Sequence, residues 1–170
     1  MSDHYELWGG DGSPYSCKMR AYFRYRRINY QWKHDVGGAM FGPNGRFSEL
    51  KAPVIPVIVR PDGSYTNDST PIILELEEQA RKGERAALPV AAGDAFLAAL
   101  LEDFGDEWMT KVMFEGRFHT RDDAKFGAEW QFWQSRGGKV SAKAAGAIDA
   151  GVDEFAKRQV LRVAVGVKVI

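Results

Sequence analysis

The chain of 170 residues has one cysteine, three histidines and no surplus of charge of either sign, and each shortage removes a class of proteins. A lone thiol, Cys17, excludes an intramolecular disulfide framework. His4, His34 and His119 are too scattered for a metal site. Lys and Arg number 23 against 23 Asp and Glu, so no whole-molecule field draws the chain to nucleic acid or an anionic membrane. The basic run Arg20, Arg24, Arg26, Arg27 reads as a solvated helix face. No apolar run reaches the length of a membrane span, and the start, MSDHYELWGG, lacks the charged and apolar halves of a signal peptide. The expectation is a soluble protein of a reducing compartment, the cytoplasm. What the chain does have is 45% apolar and 12% aromatic residues, ample for a packed core.

Patterning divides the chain into a mixed first half and a helical second half. Tyr5 to Trp8 reads as a short strand stopped by glycines. Ser13 stands where an N-cap belongs and Pro14 at the first helical position, opening a helix that places Met19, Ala21, Tyr22, Phe23 and Tyr25 on a broad apolar surface. Asn29 to Lys33 alternates like a strand, which completes a βαβ unit with parallel neighbours. One helical turn is expected at Phe47 to Lys51. Val57 to Arg60 and Ser64 to Asn67 make a hairpin around Pro61-Asp62-Gly63. Ser69 or Thr70 is expected to cap the next helix, whose buried face is Ile72, Ile73, Leu74 and Leu76. The fold class is therefore α/β over residues 1–83, a linker over 84–92, and an all-α half over 93–170. In that half Leu97, Leu100, Leu101, Phe104, Trp108 and Val112 recur at helical steps. Lys125–Ser135 and Ser141–Arg162 read as two further helices. Val163, Val165, Val167 and Val169 alternate in a strand-like pattern that does not fit an all-helical end.

Three short segments carry the chemistry: Ser13-Pro14-Tyr15-Ser16, Val54-Ile55-Pro56 and Asp68-Ser69-Thr70. They describe a helix N-terminus, a proline-fixed strand edge and an acid beside a second helix N-terminus. Helix N-termini attract anions and a free strand edge pairs with peptide groups, so together they suit a small peptide-like thiol with free carboxylates.

In their order and spacing these segments resemble the glutathione transferase superfamily, with its thioredoxin-like first domain. Ser13-Pro14-Tyr15-Ser16 is similar to the Cys-Pro-Tyr-Cys of glutaredoxins with both thiols replaced by hydroxyls. Val54-Ile55-Pro56 matches the family's cis-proline segment, and Asp68-Ser69 its acidic-Ser pair. The resemblance implies that Ser13 donates a hydrogen bond to the thiolate of glutathione, a co-substrate rather than a cofactor. It further implies that Ile55 and Pro56 present backbone to the tripeptide, that Asp68 and Ser69 take its γ-glutamyl end and that Lys51 meets its glycyl carboxylate. Tyr15 is a second donor or a packing residue over the helix end. Met109, Met113 and Phe114 are the candidates for an apolar acceptor pocket, in detoxification of a small electrophile. A homodimer is the assembly the family implies. Its helical half normally runs on for several more helices, so residues 93–170 read as an incomplete one.

Plainer readings stand beside these. Ser13 and Ser69 also serve as simple caps, and Lys51 as a solvated lysine. Cys17 is expected to be buried as a packing residue. Glu102, Asp103, Asp106 and Glu107 spread over a wide arc without a histidine, which suits a solvated helix face better than a metal site. A non-catalytic glutathione-binding or dimerisation module is the alternative to the enzyme. Thiol–disulfide chemistry comes last, because Ser13 stands where its cysteine belongs.

Overall fold

Cap chemistry and strand alternation build the first half. Strands β1 (Tyr5–Gly9) and β2 (Tyr30–His34) are parallel and joined by helix α1 (Pro14–Arg26). Ser13 is extended at φ −92° and ψ 121°, and its Oγ accepts the Ser16 N–H at 3.2 Å, so α1 starts where its cap directs. It stops at Arg27, which takes the left-handed conformation at φ 58°. A four-residue helix, α2 (Gly38–Phe41), follows. The hairpin of β3 (Val57–Val59) and β4 (Tyr65–Asn67) turns at Gly63, φ 89°, and leads into α3 (Ser69–Gln79). The sheet order is β2-β1-β3-β4, with β3 antiparallel to both neighbours. This is the βαβ-ββα order the pattern predicts, in the thioredoxin-like arrangement the resemblance implies.

The coordinates are a computed structural model that describes residues 4–34, 38–41, 43–80 and 85–134, with positions 153, 154 and 157 beyond them. Most of the helix expected over Ser141–Arg162, and the alternating valines, lie outside the described residues. Two compact units divide the chain, Met1–Leu100 and Leu101–Ile170.

In the first unit the sheet separates two apolar clusters. Leu7 and Ile58 face Met19, Tyr22 and Phe23 of α1 and Ile72 and Leu76 of α3. Val57 and Val59 face the other way, onto Met40 and Phe47. The strand period of two sorts these residues, since Leu7 pairs with Ile58 and Trp8 with Val57. The sheet end of α1 is equally close-fitted. A Cβ at Gly9 would lie 2.4 Å from Ser16 Oγ and 3.0 Å from Trp32 Cη2.

At its other end α1 is tied to α3 by a buried carboxylate. Glu77 accepts from Tyr22 Oη at 2.7 Å and from Arg26 Nε at 3.0 Å, and the Arg26 and Glu77 side chains are each only 9% exposed. Its second oxygen accepts the Ala87 N–H at 2.9 Å, which fixes the start of the linker. Burial, reinforced by the neighbouring Glu77, pushes the Tyr22 phenol well above its ordinary pKa.

The second unit begins within α4 (Ala92–Asp103), which continues through a π-helical segment, Phe104–Met109, into α5 (Thr110–Phe118). Helix α6 (Arg121–Gln134) starts on a reciprocal cap. Thr120 Oγ1 accepts the Asp123 N–H at 3.1 Å, and Asp123 Oδ2 accepts the Thr120 N–H at 3.3 Å. Within this unit α5 and α6 are in contact, with Phe118, Ala124 and Ala128 buried and Gly127 against the Arg117 side-chain stem and carbonyl.

Several expectations change. The segment around Phe47 closes single i→i+3 turns, Ser48 N–H to the Gly45 carbonyl at 3.2 Å and Leu50 N–H to the Phe47 carbonyl at 3.1 Å, rather than a helix, and the Phe47 ring packs against Trp8 and Tyr65. The cap of α3 is Asp68, not Ser69 or Thr70. The apolar stripe of Leu97, Leu100, Leu101, Phe104, Trp108 and Val112 lies on helical segments as its spacing indicates, with each side chain half or more exposed. Cys17 is exposed as well, because the buried face of α1 runs through Ser16, Met19 and Phe23 and leaves residue 17 a quarter-turn away.

Glu77→Ala leaves Arg26 and Tyr22 without their acceptor and is expected to cost about 3–5 kcal/mol in chemical unfolding, while Glu77→Gln costs less. The raised Tyr22 pKa means that its contribution is complete below about pH 10 and is lost as pH rises above it. The fall in melting temperature above pH 10 is therefore expected to be shallower in Tyr22→Phe. Gly9→Ala forces a methyl between Ser16 and Trp32 and is expected to destabilise by about 1–3 kcal/mol, part of which Gly9→Ala with Ser16→Gly recovers.

Candidate functional site

The site is assembled at the N-terminal end of α1. The Gly10 carbonyl accepts the Ser13 N–H at 3.0 Å, and the Gly10 N–H donates to Ser16 Oγ at 3.3 Å. Ser16 is wholly buried, whereas Ser13 is only half-buried. A hydroxyl has one donor and two acceptor positions, so capping the Ser16 N–H leaves the Ser13 O–H to donate elsewhere. The cap and a donor role for Ser13 are therefore compatible. The first turn of α1 holds no acidic residue that would oppose an anion there.

The second segment lies alongside. A Cβ on Gly10 would be 3.6 Å from Ile55 Cδ1, which places Ile55 against the loop that precedes Ser13. The Ile55–Pro56 peptide is cis, with Pro56 buried and Ile55 half-buried. The third segment is tied to the second by Asn67, whose Nδ2 donates to the carbonyls of Ala52 at 2.6 Å and Val54 at 3.2 Å. Asp68 follows at φ 78° and ψ 121°, a conformation that costs a non-glycine residue on the order of 1–3 kcal/mol. It is exposed and makes no side-chain cap bond, while Ser69 is 2% exposed at the start of α3. Lys18 Nζ donates to Thr70 Oγ1 at 3.3 Å, bridging α1 to the first turn of α3.

The first unit thus brings Ser13, Ile55, Pro56, Asp68 and Ser69 into one chain of neighbouring segments. Tyr15 is half-buried on the first turn of α1, and Lys51 is exposed just before Ala52. Met109, Met113 and Phe114 belong to the second unit. There Met109 is exposed, the other two are half-buried, and Phe114 stacks on Phe118 at 6.2 Å. Sequence reasoning missed Asn67 and Lys18. Asn67 carried one signal, an amide directly ahead of the acid-serine pair, able to hold two carbonyls at once. Among the described residues no group of three or more His, Cys, Asp or Glu is placed to hold a metal, and no helix is long and apolar enough to cross a membrane.

A family model for the glutathione S-transferase N-terminal domain matches residues 7–85. Comparison with curated proteins finds no match. Among solved structures, the chain is similar to a glutathione S-transferase from Methylobacterium radiotolerans in complex with glutathione sulfonate. That likeness has 17% identity and a TM-score of 0.49, and covers 89% of this chain but only 63% of that one. A glutathione S-transferase from Methylobacillus flagellatus with glutathione bound has 19% identity, a TM-score of 0.49 and coverage of 91% and 67%. A glutathione transferase homolog from Burkholderia GL BGR1 with bound glutathione has 12% identity, coverage of 92% and 98% and a TM-score of 0.51, a likeness of fold. Over residues 7–85 this chain has the thioredoxin-like arrangement of strands and helices and matches the model of the glutathione S-transferase N-terminal domain.

Proposed function

We propose that the chain is a glutathione transferase, adding the thiolate of glutathione to a small, apolar electrophile. The observation that supports this most is the adjacency of three segments with different chemistries: the Ser13 cap, the Ile55 edge beside Gly10, and Asp68-Ser69 held by Asn67. A free thiol is mostly protonated at neutral pH, and the thiolate is the nucleophile. In this reading the Ser13 O–H donates to the sulfur, and the positive end of α1 adds to the potential there. Backbone groups of Ile55 pair with the cysteinyl unit. Asp68 takes the γ-glutamyl ammonium, while Ser69 and the α3 N-terminus take its carboxylate. Lys51 meets the glycyl carboxylate, and Tyr15 packs over the helix end.

A second reading is a protein of the same family that binds glutathione without turning it over. In it the Ser13 hydroxyl serves only as the α1 cap, accepting the Ser16 N–H at 3.2 Å. Retention on immobilised glutathione followed by turnover of an aryl halide separates the two. For the enzyme, Ser13→Ala is expected to lower kcat/KM about 100-fold while glutathione affinity changes only a few-fold. Loss of the cap costs about 1 kcal/mol of stability in the same variant. Wild-type retention without turnover of any acceptor supports the binding protein, and no retention removes both readings.

A further inference from the structure

Beside the Ser13 cap lies a charged cluster that none of these roles uses. Arg20, on α1, points back toward the helix N-terminus, where its Nη1 donates to Asp11 Oδ1 at 2.5 Å. Its guanidinium carbon sits 4.7 Å from the centre of the Trp32 ring. Trp32 Nε1 donates to His34 Nε2 at 3.2 Å, and His34 Nδ1 lies 3.6 Å from the other Asp11 oxygen. The Cys17 thiol donates to the Asp11 carbonyl at 3.5 Å. The indole can only donate, so the His34 nitrogen it meets must accept. Arg20 Nε is buried with no hydrogen-bond partner among the described residues, a placement that costs stability. A guanidinium held there at such a cost needs a reason besides packing.

Asp11 supplies the reason. It stands two residues ahead of the Ser13 cap, at the helix end whose partial positive charge favours an anion. An unpaired carboxylate at that point opposes a thiolate, and Arg20 neutralises it while fixing the loop that carries Ser13. We infer that Arg20 is a positioning residue of the thiolate site, cancelling the Asp11 charge so that the α1 N-terminus keeps its attraction for the glutathione sulfur. The inference rests on the proposed glutathione reading. Among the described residues the groups that face Asp11 are Arg20 and Cys17 of α1 and His34 of β2, and of these Arg20 carries a permanent charge.

The test is the pKa of glutathione's thiol on the full chain, followed by the ultraviolet absorbance of the thiolate across a pH titration. Arg20→Gln is expected to raise it, reducing the thiolate present at neutral pH about three- to tenfold. Asp11→Asn with Arg20→Gln is expected to return it to near the wild-type value, which loss of packing alone does not do. Should Arg20→Gln fail to fold, Asp11→Asn alone is expected to lower the thiol pKa below wild type. A depressed wild-type pKa that moves in none of these variants overturns the inference and leaves the glutathione reading standing. A wild-type chain that binds no glutathione, or binds it with an ordinary thiol pKa, overturns that reading and this inference with it.

Discussion

The seat of α1 on the end of β1 is the constraint from which the site follows. Gly9 has no side chain because Ser16 fills that space, and Ser16 in turn uses both ends of its polar inventory. Its N–H goes to Ser13 Oγ and its Oγ receives the Gly10 N–H. The loop and the first helical turn are thereby fixed to each other by two serines in reciprocal positions. Ser13 is placed by this arrangement together with its own preference for the cap position. The direction of the helix, and hence of its positive end, is set by the same contacts together with the packing of Met19 and Phe23 on the sheet.

The far end of α1 is held in another way. Glu77 collects a phenol, a guanidinium and a linker amide in one buried corner, so α1, α3 and the residues after 85 are tied together by a single carboxylate. Burying it is tolerable because each of its oxygens is satisfied. With both ends fixed, α1 is a rigid reference against which the start of α3 is set. The strain of Asp68 at φ 78° is sustained by the two Asn67 bonds immediately before it and by α3 packed on the core through Ile72 and Leu76.

Much of this was legible in the sequence because it depends on local chemistry. Ser13-Pro14 announces a helix start through cap and φ preferences that act within four residues. The strand alternation around Leu7 and Ile58 follows from the side-chain period. The exposure of Cys17 is readable in the helical spacing. Stepping back from Phe23 by four and then three gives Met19 and Ser16, which puts a serine in the core and the thiol outside. The cap of α3 was not readable, since nothing local marks an aspartate at positive φ. An apolar stripe such as Leu97, Leu100 and Leu101 records that a face is apolar and not what covers it. The Asp11–Arg20–Trp32 cluster joins three elements through packing, so no spacing in the sequence betrays it.

The two helix ends at the site differ in charge, and the difference matches the two ends of the tripeptide they are proposed to meet. At α1 no acid stands in the first turn, and the nearest one, Asp11, is paired with Arg20, so the local field favours a single anion. At α3 the cap position itself is an exposed aspartate whose side chain bonds none of the helix amides. That end therefore presents a negative carboxylate beside the positive dipole of the helix. An amino acid head, carrying ammonium and carboxylate on one carbon, is complementary to such a pair, whereas a lone thiolate is not. A simple anion site at both ends would bind the ligand without fixing its direction. In the proposed glutathione reading, the unequal ends distinguish sulfur from γ-glutamyl head by charge alone, before the Ile55 edge contributes any hydrogen bond.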